Sequence, residues 1–279
     1  MLIIDCHAHV TSFDEQRYRP KPNPFRPPKG VGSSEHLRQT SLAAGVSYVR
    51  AIQTLSFYGF DNQYLLDSAR QFKPWMAGVC TLDPDNPRSP DLLRQYAREY
   101  GVRSLRSIPS AQTKNFDHDG VRALWKAVAD SGLTVDIFLM RPENIPTAEK
   151  LIASFPGLTV GFCHCMDLKP GPDLKANTEK VRGLARHKNL YAKVDFVGTG
   201  SKMPFPCEDL LETALRVIDA YGPDRCVWTS SYPNAIWTPM VTYQQHLRIF
   251  TEALPLTEAA RRQILGETAR RIWFPELKV

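Results

Sequence analysis

Along the chain, short runs rich in apolar and β-branched residues alternate with longer stretches whose apolar positions recur every three or four residues. The runs Leu2–Asp5, Tyr48–Gln53, Trp75–Thr81, Val102–Ile108, Thr134–Leu139, Thr159–His164, Leu190–Asp195 and Arg225–Thr229 read as strands. Several are almost continuously apolar, as a strand buried on both faces requires. Between them, Asn62–Phe72, Asp91–Glu99, Val121–Asp130 and Asp209–Ala220 read as amphipathic helices. In the last, Leu210, Leu211, Ala214, Leu215 and Ile218 keep helical spacing. Eight strands separated by helices imply a parallel sheet, and the pattern predicts a single-domain (β/α)8 TIM barrel over residues 1–279. A doubly wound open sheet fits less well, because no glycine-rich phosphate loop follows the first strand.

The rhythm breaks at residues 11–35, which hold Pro20, Pro22, Pro24, Pro27 and Pro28. A polyproline II ligand segment would have such a composition. The position directly after the first strand instead predicts a loop over the barrel mouth, where barrel enzymes place substrate loops. With 43% hydrophobic residues in 279, the chain can bury a large core. The net charge of +6 comes without a Lys/Arg run, which argues against nucleic acid and fits an anionic small-molecule substrate. Cys6, Cys80, Cys163, Cys165, Cys207 and Cys226 form no CxxC pair, and Cys163-His164-Cys165 is too tight for ordinary zinc-finger spacing. Reduced, buried thiols in a cytoplasmic protein are expected. No run reaches the roughly 18 apolar residues a membrane span needs, so no membrane association is expected. Homo-oligomerisation is left open.

Three places carry chemistry. The first strand ends in Asp5-Cys6-His7-Ala8-His9; residues two apart on a strand share a face, so both imidazoles point at the barrel axis. Imidazole there can bind a divalent metal or hold a substrate carbonyl. Ordinary hydrogen-bonding histidines are the plain alternative. Val160-Gly161-Phe162-Cys163-His164 places another histidine at the end of the sixth strand. The eighth strand runs into Thr229-Ser230-Ser231-Tyr232-Pro233. Cations near strand ends are candidates to anchor an anionic substrate: Arg106 on the fourth, Arg141 after the fifth and Lys193 on the seventh. Surface or internal ion pairs are their alternative roles, with Asp136 or Asp195 as partner for Lys193. Tyr58 and Tyr232 are candidate hydrogen-bond donors to substrate.

The segment Gly222-Pro223-Asp224-Arg225 with Ser230-Ser231-Tyr232-Pro233 resembles the amidohydrolase-related (type 2) family, whose last strand reads roughly GPDR-hh-GSDYP. Tyr58-Gly59-Phe60-Asp61-Asn62, Leu82-Asp83-Pro84 and Gly101-Val102-Arg103-Ser104-Leu105-Arg106 extend the resemblance over nearly the whole chain. It implies HxH on the first strand, His on the sixth and, on the eighth, an Asp that serves as metal ligand, general base or both. Ser231 stands in that Asp's place, and a hydroxyl cannot be the resting base that a carboxylate provides. Three readings follow: an inactivated variant, a member with altered or absent catalysis, or a Ser231 that acts as nucleophile or positions water. Mononuclear members of the family also carry a histidine on the fifth strand, where this chain has Val135-Asp136-Ile137-Phe138-Leu139-Met140. The pattern is therefore nearer the metal-independent branch represented by 2-pyrone-4,6-dicarboxylate lactonase, and no tightly bound cofactor is expected. His7, His9 and His164 are the candidate ligands should a divalent metal such as zinc bind.

The resemblance thus implies a hydrolase of a lactone or similar ester-like bond in a small anionic or aromatic metabolite. His7, His9 and His164 would polarise the carbonyl, and position 231 would normally activate water. A metal-dependent decarboxylase of an aromatic acid and a catalytically silent metabolite-binding barrel are the rivals.

Overall fold

A computed structural model describes residues 1–277. Its eight parallel strands run in sequence order: β1 (Ile4–His9), β2 (Tyr48–Ile52), β3 (Met76–Thr81), β4 (Ser104–Ser107), β5 (Thr134–Ile137), β6 (Val160–Phe162), β7 (Leu190–Lys193) and β8 (Cys226–Val227). Backbone bonds from Cys6 N to Trp228 O, Ser231 N to His7 O and His9 N to Tyr232 O tie β1 to the chain leaving β8, which brings the two ends of the sheet together. Every strand is followed by helix on the outside, as in a (β/α)8 TIM barrel.

The helices form where the apolar periodicity placed them. Gln63–Gln71 buries Leu65, Leu66 and Ala69 against β3, and Glu208–Tyr221 buries Leu210, Ala214, Val217 and Ile218. Gly101 ends the helix Ser89–Tyr100 in the left-handed conformation that only glycine adopts without cost. Strand boundaries shift by a few residues from the sequence reading. β1 starts two residues later and continues through His9. β6 stops at Phe162, two residues short, because His164, Cys165, Met166 and Asp167 all have positive φ. A run of four such residues cannot extend a strand.

The barrel interior is partly ionic. Asp136 of β5 accepts from Lys193 Nζ of β7 at 2.6 Å and pairs with Arg50 of β2 at 3.2 Å. Arg50 also donates to Ser104 Oγ, and Lys193 to Cys6 O. Trp273 lies 3.7 Å from the Arg50 guanidinium and donates to Thr134 Oγ1 at the start of β5, closing the bottom of the barrel. A Cβ on Gly161 of β6 would sit 2.5 Å from Asp136 Oδ1, so the cluster demands glycine there. Burial disfavours ionised Asp136, but the facing Arg50 and Lys193 outweigh it and hold its carboxyl below the ordinary range. Lys193 is therefore not at the mouth as a substrate contact. Its inward strand position places it one layer below, locked to Asp136.

Candidate active site

At the C-terminal end of the strands lies a cavity of about 400 Å³. Leu55, Phe138, Met140 and Trp237 give it apolar walls, while His9, His164, Arg106 and Ser231 reach it from four different strand ends. His7 lies beneath, fully buried, with its ring centroid 4.5 Å from that of His164. The structure thus brings together His7, His9, His164 and Ser231. Lys21, from the proline-rich segment, borders the same cavity.

The hydrogen bonds fix where the imidazole protons sit. His9 Nδ1 faces the Ile52 carbonyl at 3.0 Å; a carbonyl only accepts, so His9 carries its proton on Nδ1. His9 Nε2 is then a bare acceptor, and the His7 Nε2 3.1 Å away must donate to it. His164 Nδ1 donates at 2.6 Å to Asp195 Oδ2, and His164 Nε2 has no protein partner among the described residues. Burial, then the neighbouring charges, push both His7 and His9 well below the usual histidine range, so both are neutral at pH 7. In these arrangements the three imidazoles do not supply three free donors to a carbonyl. Each N–H so fixed already has an acceptor, Ile52 O for His9, His9 Nε2 for His7 and Asp195 Oδ2 for His164, which corrects the expectation that all three polarise substrate together.

Ser231 has φ 50°, and its hydroxyl donates to Asp195 Oδ2 at 2.5 Å. Asp195 follows β7 and is fully buried. Burial alone would raise its pKa, but facing His164 and the hydrogen bonds from His164 and Ser231 hold it down to about 2. Thr229 lies nearby, short of full hydrogen-bond geometry. A carboxylate so weakly basic is a poor activator of a serine nucleophile, and no imidazole accepts from Ser231. The side-chain hydrogen bond of the serine goes to Asp195. Asp195 is the residue that sequence reasoning missed in this role: it was visible only as a possible partner for Lys193, and nothing in its local pattern signals His164, thirty-one positions away.

Arg106 is 5% exposed and donates through Nε to Thr81 Oγ1 and through Nη2 to Gln53 O. It stacks on Phe138, its ring centroid 5.5 Å away, and makes no ion pair among the described residues. Burial pulls its guanidinium down to about 10, which leaves it charged at neutral pH. The other sequence candidates lie elsewhere. Arg141 is exposed and faces Glu143 at 3.8 Å. The Tyr58 hydroxyl accepts from Ser12 N at 2.7 Å and that of Tyr232 from Gly32 N at 3.0 Å, so both tyrosines hold the proline-rich segment rather than line the cavity.

A metal fits this donor set poorly. His9 and His164 have the outward Nδ1 contacts that ligating imidazoles use, but His7 Nδ1 is buried without a partner. Of the adjacent carboxylates, Asp195 takes His164 and Ser231 through Oδ2 while its Oδ1 is buried without a partner, and Asp5 is engaged by Ser230 and Tyr243. Among the described residues no three His, Cys, Asp or Glu side chains are grouped to hold an ion.

A nearly closed parallel barrel here gathers imidazoles, a buried arginine and a carboxylate at the C-terminal strand ends, where (β/α)8 enzymes place their active sites. The model of the amidohydrolase family (Amidohydro_2) matches residues 4–274, and the chain belongs to that family. No curated protein matches the chain. Among solved structures it is similar to a Pseudomonas putida protein provisionally described as a 2-pyrone-4,6-dicarboxylic acid hydrolase, with 22% identity, 99% of each chain covered and a TM-score of 0.78. It is also similar to a zinc-bound amidohydrolase from Burkholderia multivorans, with 18% identity, 98% and 99% coverage and a TM-score of 0.71. A third is the manganese-bound 5-carboxyvanillate decarboxylase of Novosphingobium aromaticivorans, with 13% identity, 98% and 97% coverage and a TM-score of 0.67. Among the described residues no helix is long and apolar enough to cross a membrane.

Proposed function

We propose that the protein hydrolyses a lactone or similar ester-like bond in a small, carboxylate-bearing metabolite of ring size, without a metal. Arg106 carries this reading. A buried guanidinium without a carboxylate partner is costly to maintain, and a cavity between apolar walls is where a substrate carboxylate would neutralise it. Two of its five N–H groups are used by Thr81 and Gln53, so a fork remains for bidentate binding. Leu55, Phe138, Met140 and Trp237 suit the flat faces of an unsaturated ring. Water is the nucleophile, and a substrate carbonyl oxygen can take the His7 Nε2–H only by displacing it from His9 Nε2. The hydrolase description of the Pseudomonas relative agrees with this reading. The decarboxylase relative holds manganese, whereas the donor set here fits a metal poorly.

The test is turnover of a panel of carboxylated lactones and aryl esters by protein without added metal. Carboxylated members should be consumed and their methyl esters spared. Carbon dioxide release from a carboxylated phenol would move the protein to the decarboxylases. Tight binding without turnover of any member would make it a silent metabolite-binding barrel.

A further inference from the structure

We propose that Asp195 is a positioning residue that holds His164 as the proton acceptor for the attacking water, with Ser231 hydrogen-bonded to the same carboxylate oxygen. The inference rests on the hydrolase reading above. Its ground is the single oxygen Asp195 Oδ2, which receives both His164 Nδ1 at 2.6 Å and Ser231 Oγ at 2.5 Å. A carboxylate accepts and never donates, so Nδ1 carries a proton, and in the neutral ring Nε2 carries the lone pair. His164 borders the cavity, and its Nε2 has no partner among the described residues. His9 has the same tautomer, but its Nε2 is already occupied by His7. His7 Nδ1 is also unpartnered but is buried away from the cavity, so of the three imidazoles His164 is the one whose free nitrogen borders it.

The backbone supports the assignment. His164 opens a run of four non-glycine residues with φ between 44° and 62°, and Ser231 stands at 50°. Such conformations are disfavoured and persist where the surroundings over-determine them, commonly at functional sites. Here both ends of the hydrogen-bonded relay are set by left-handed residues, and Asp195 is fixed between them. The proton path balances. Water oxygen bonds to the acyl carbon while its proton passes to His164 Nε2 and the carbonyl pair moves to oxygen. Collapse then breaks the acyl C–O bond, and the departing oxygen takes the proton back from His164 Nε2.

Two measurements test this separately from the hydrolase reading. In ligand-free protein with ¹⁵N-labelled histidine, long-range ¹H–¹⁵N spectra should show His164 with Nδ1 protonated and Nε2 bare. Asp195→Asn, which keeps the shape, should populate the opposite tautomer. An Nε2-protonated His164 in the unaltered protein overturns the proposal whatever the substrate proves to be. On any lactone or ester the protein turns over, Asp195→Asn should lower kcat about 10²–10⁴-fold with KM changed less than about threefold. Ser231→Ala should cost about tenfold or less. A full-rate Asp195→Asn overturns the proposal while leaving the hydrolase reading intact, and abolition of activity by Ser231→Ala would make the serine a nucleophile and overturn it too. Failure of the whole panel would count against the hydrolase reading alone, and the tautomer would then decide the proposal. Should Asp195→Asn not fold, His164→Gly suits the left-handed backbone. It should lose activity and regain part of it with added imidazole; no rescue overturns the proposal.

Discussion

The barrel holds two buried cationic regions one layer apart, and they are built in opposite ways. Below, Arg50 and Lys193 converge on Asp136, with Trp273 stacked against the pair and every partner inside the protein. Above, Arg106 is almost as deeply buried yet bonds only to a hydroxyl and a carbonyl. The lower cluster is complete and reads as structure; the upper one lacks an anion and reads as a binding site. Burial of charge alone would not have told them apart, and the missing counter-charge does.

Breaking the lower cluster should have the largest effect. Asp136→Ala leaves Arg50 and Lys193 facing each other in the barrel interior, and should destabilise the fold by about 3–5 kcal/mol. Urea denaturation measures this, and a loss under about 1 kcal/mol would show that the cluster is not what fixes the interior. Arg106→Met attacks the upper region and should do the reverse: stability held or slightly raised, and KM for a carboxylated substrate up about 100-fold, equivalent to about 2.7 kcal/mol. If Arg106→Met instead unfolds the protein, the distinction between the two layers collapses.

Acid should sharpen the same contrast more gently. His7 and His9 are pushed far below the ordinary histidine range by burial, and His246, buried against Trp228, is brought down to about 4 by burial. Below about pH 6.5 the unfolded chain takes up these protons and the folded protein does not, so stability falls as pH falls from 7 toward 5. Asp5 opposes this, since burial raises it to about 6 and the folded state takes up a proton there first. With three histidines against one carboxyl, a net difference of about two protons, a loss of about 2–3 kcal/mol per pH unit near pH 5 is expected. A melting temperature flat between pH 7 and 5 would contradict the neutral-histidine assignment. Smallest of all is the effect of chelation. Purified protein should carry well under one equivalent of zinc or manganese by elemental analysis, and a chelator should leave both melting and turnover unchanged.

Much of the fold was legible in the sequence because its signals are local. Apolar runs marked the eight strands, and helical periodicity marked the helices around them. His7 and His9 were legible for the same reason: a period of two on a strand puts both on one face. Asp195 was not, because its partners His164 and Ser231 come from other strand ends and only barrel closure joins them. Lys193 was misplaced by depth: strand parity says inward, but not which layer. Tyr58 and Tyr232 were misread because a phenol beside a mouth can serve substrate or backbone, and composition does not distinguish the two. The end of β6 moved because four consecutive positive φ values have no signature in Cys163-His164-Cys165-Met166-Asp167.

The anchoring of the proline-rich segment bears on how this protein could change its diet. Tyr58 and Tyr232 grip that segment by the main-chain amides of Ser12 and Gly32, and Phe57 and Ser56 carbonyls take the amides of Lys21 and Phe25. None of these grips reads a side chain of the segment. Residues such as Lys21 and Phe25 are therefore at liberty to mutate while the path of the chain over the cavity is kept. New substrates can be sampled at this rim one side chain at a time, with the relay of His164, Asp195 and Ser231 left untouched underneath.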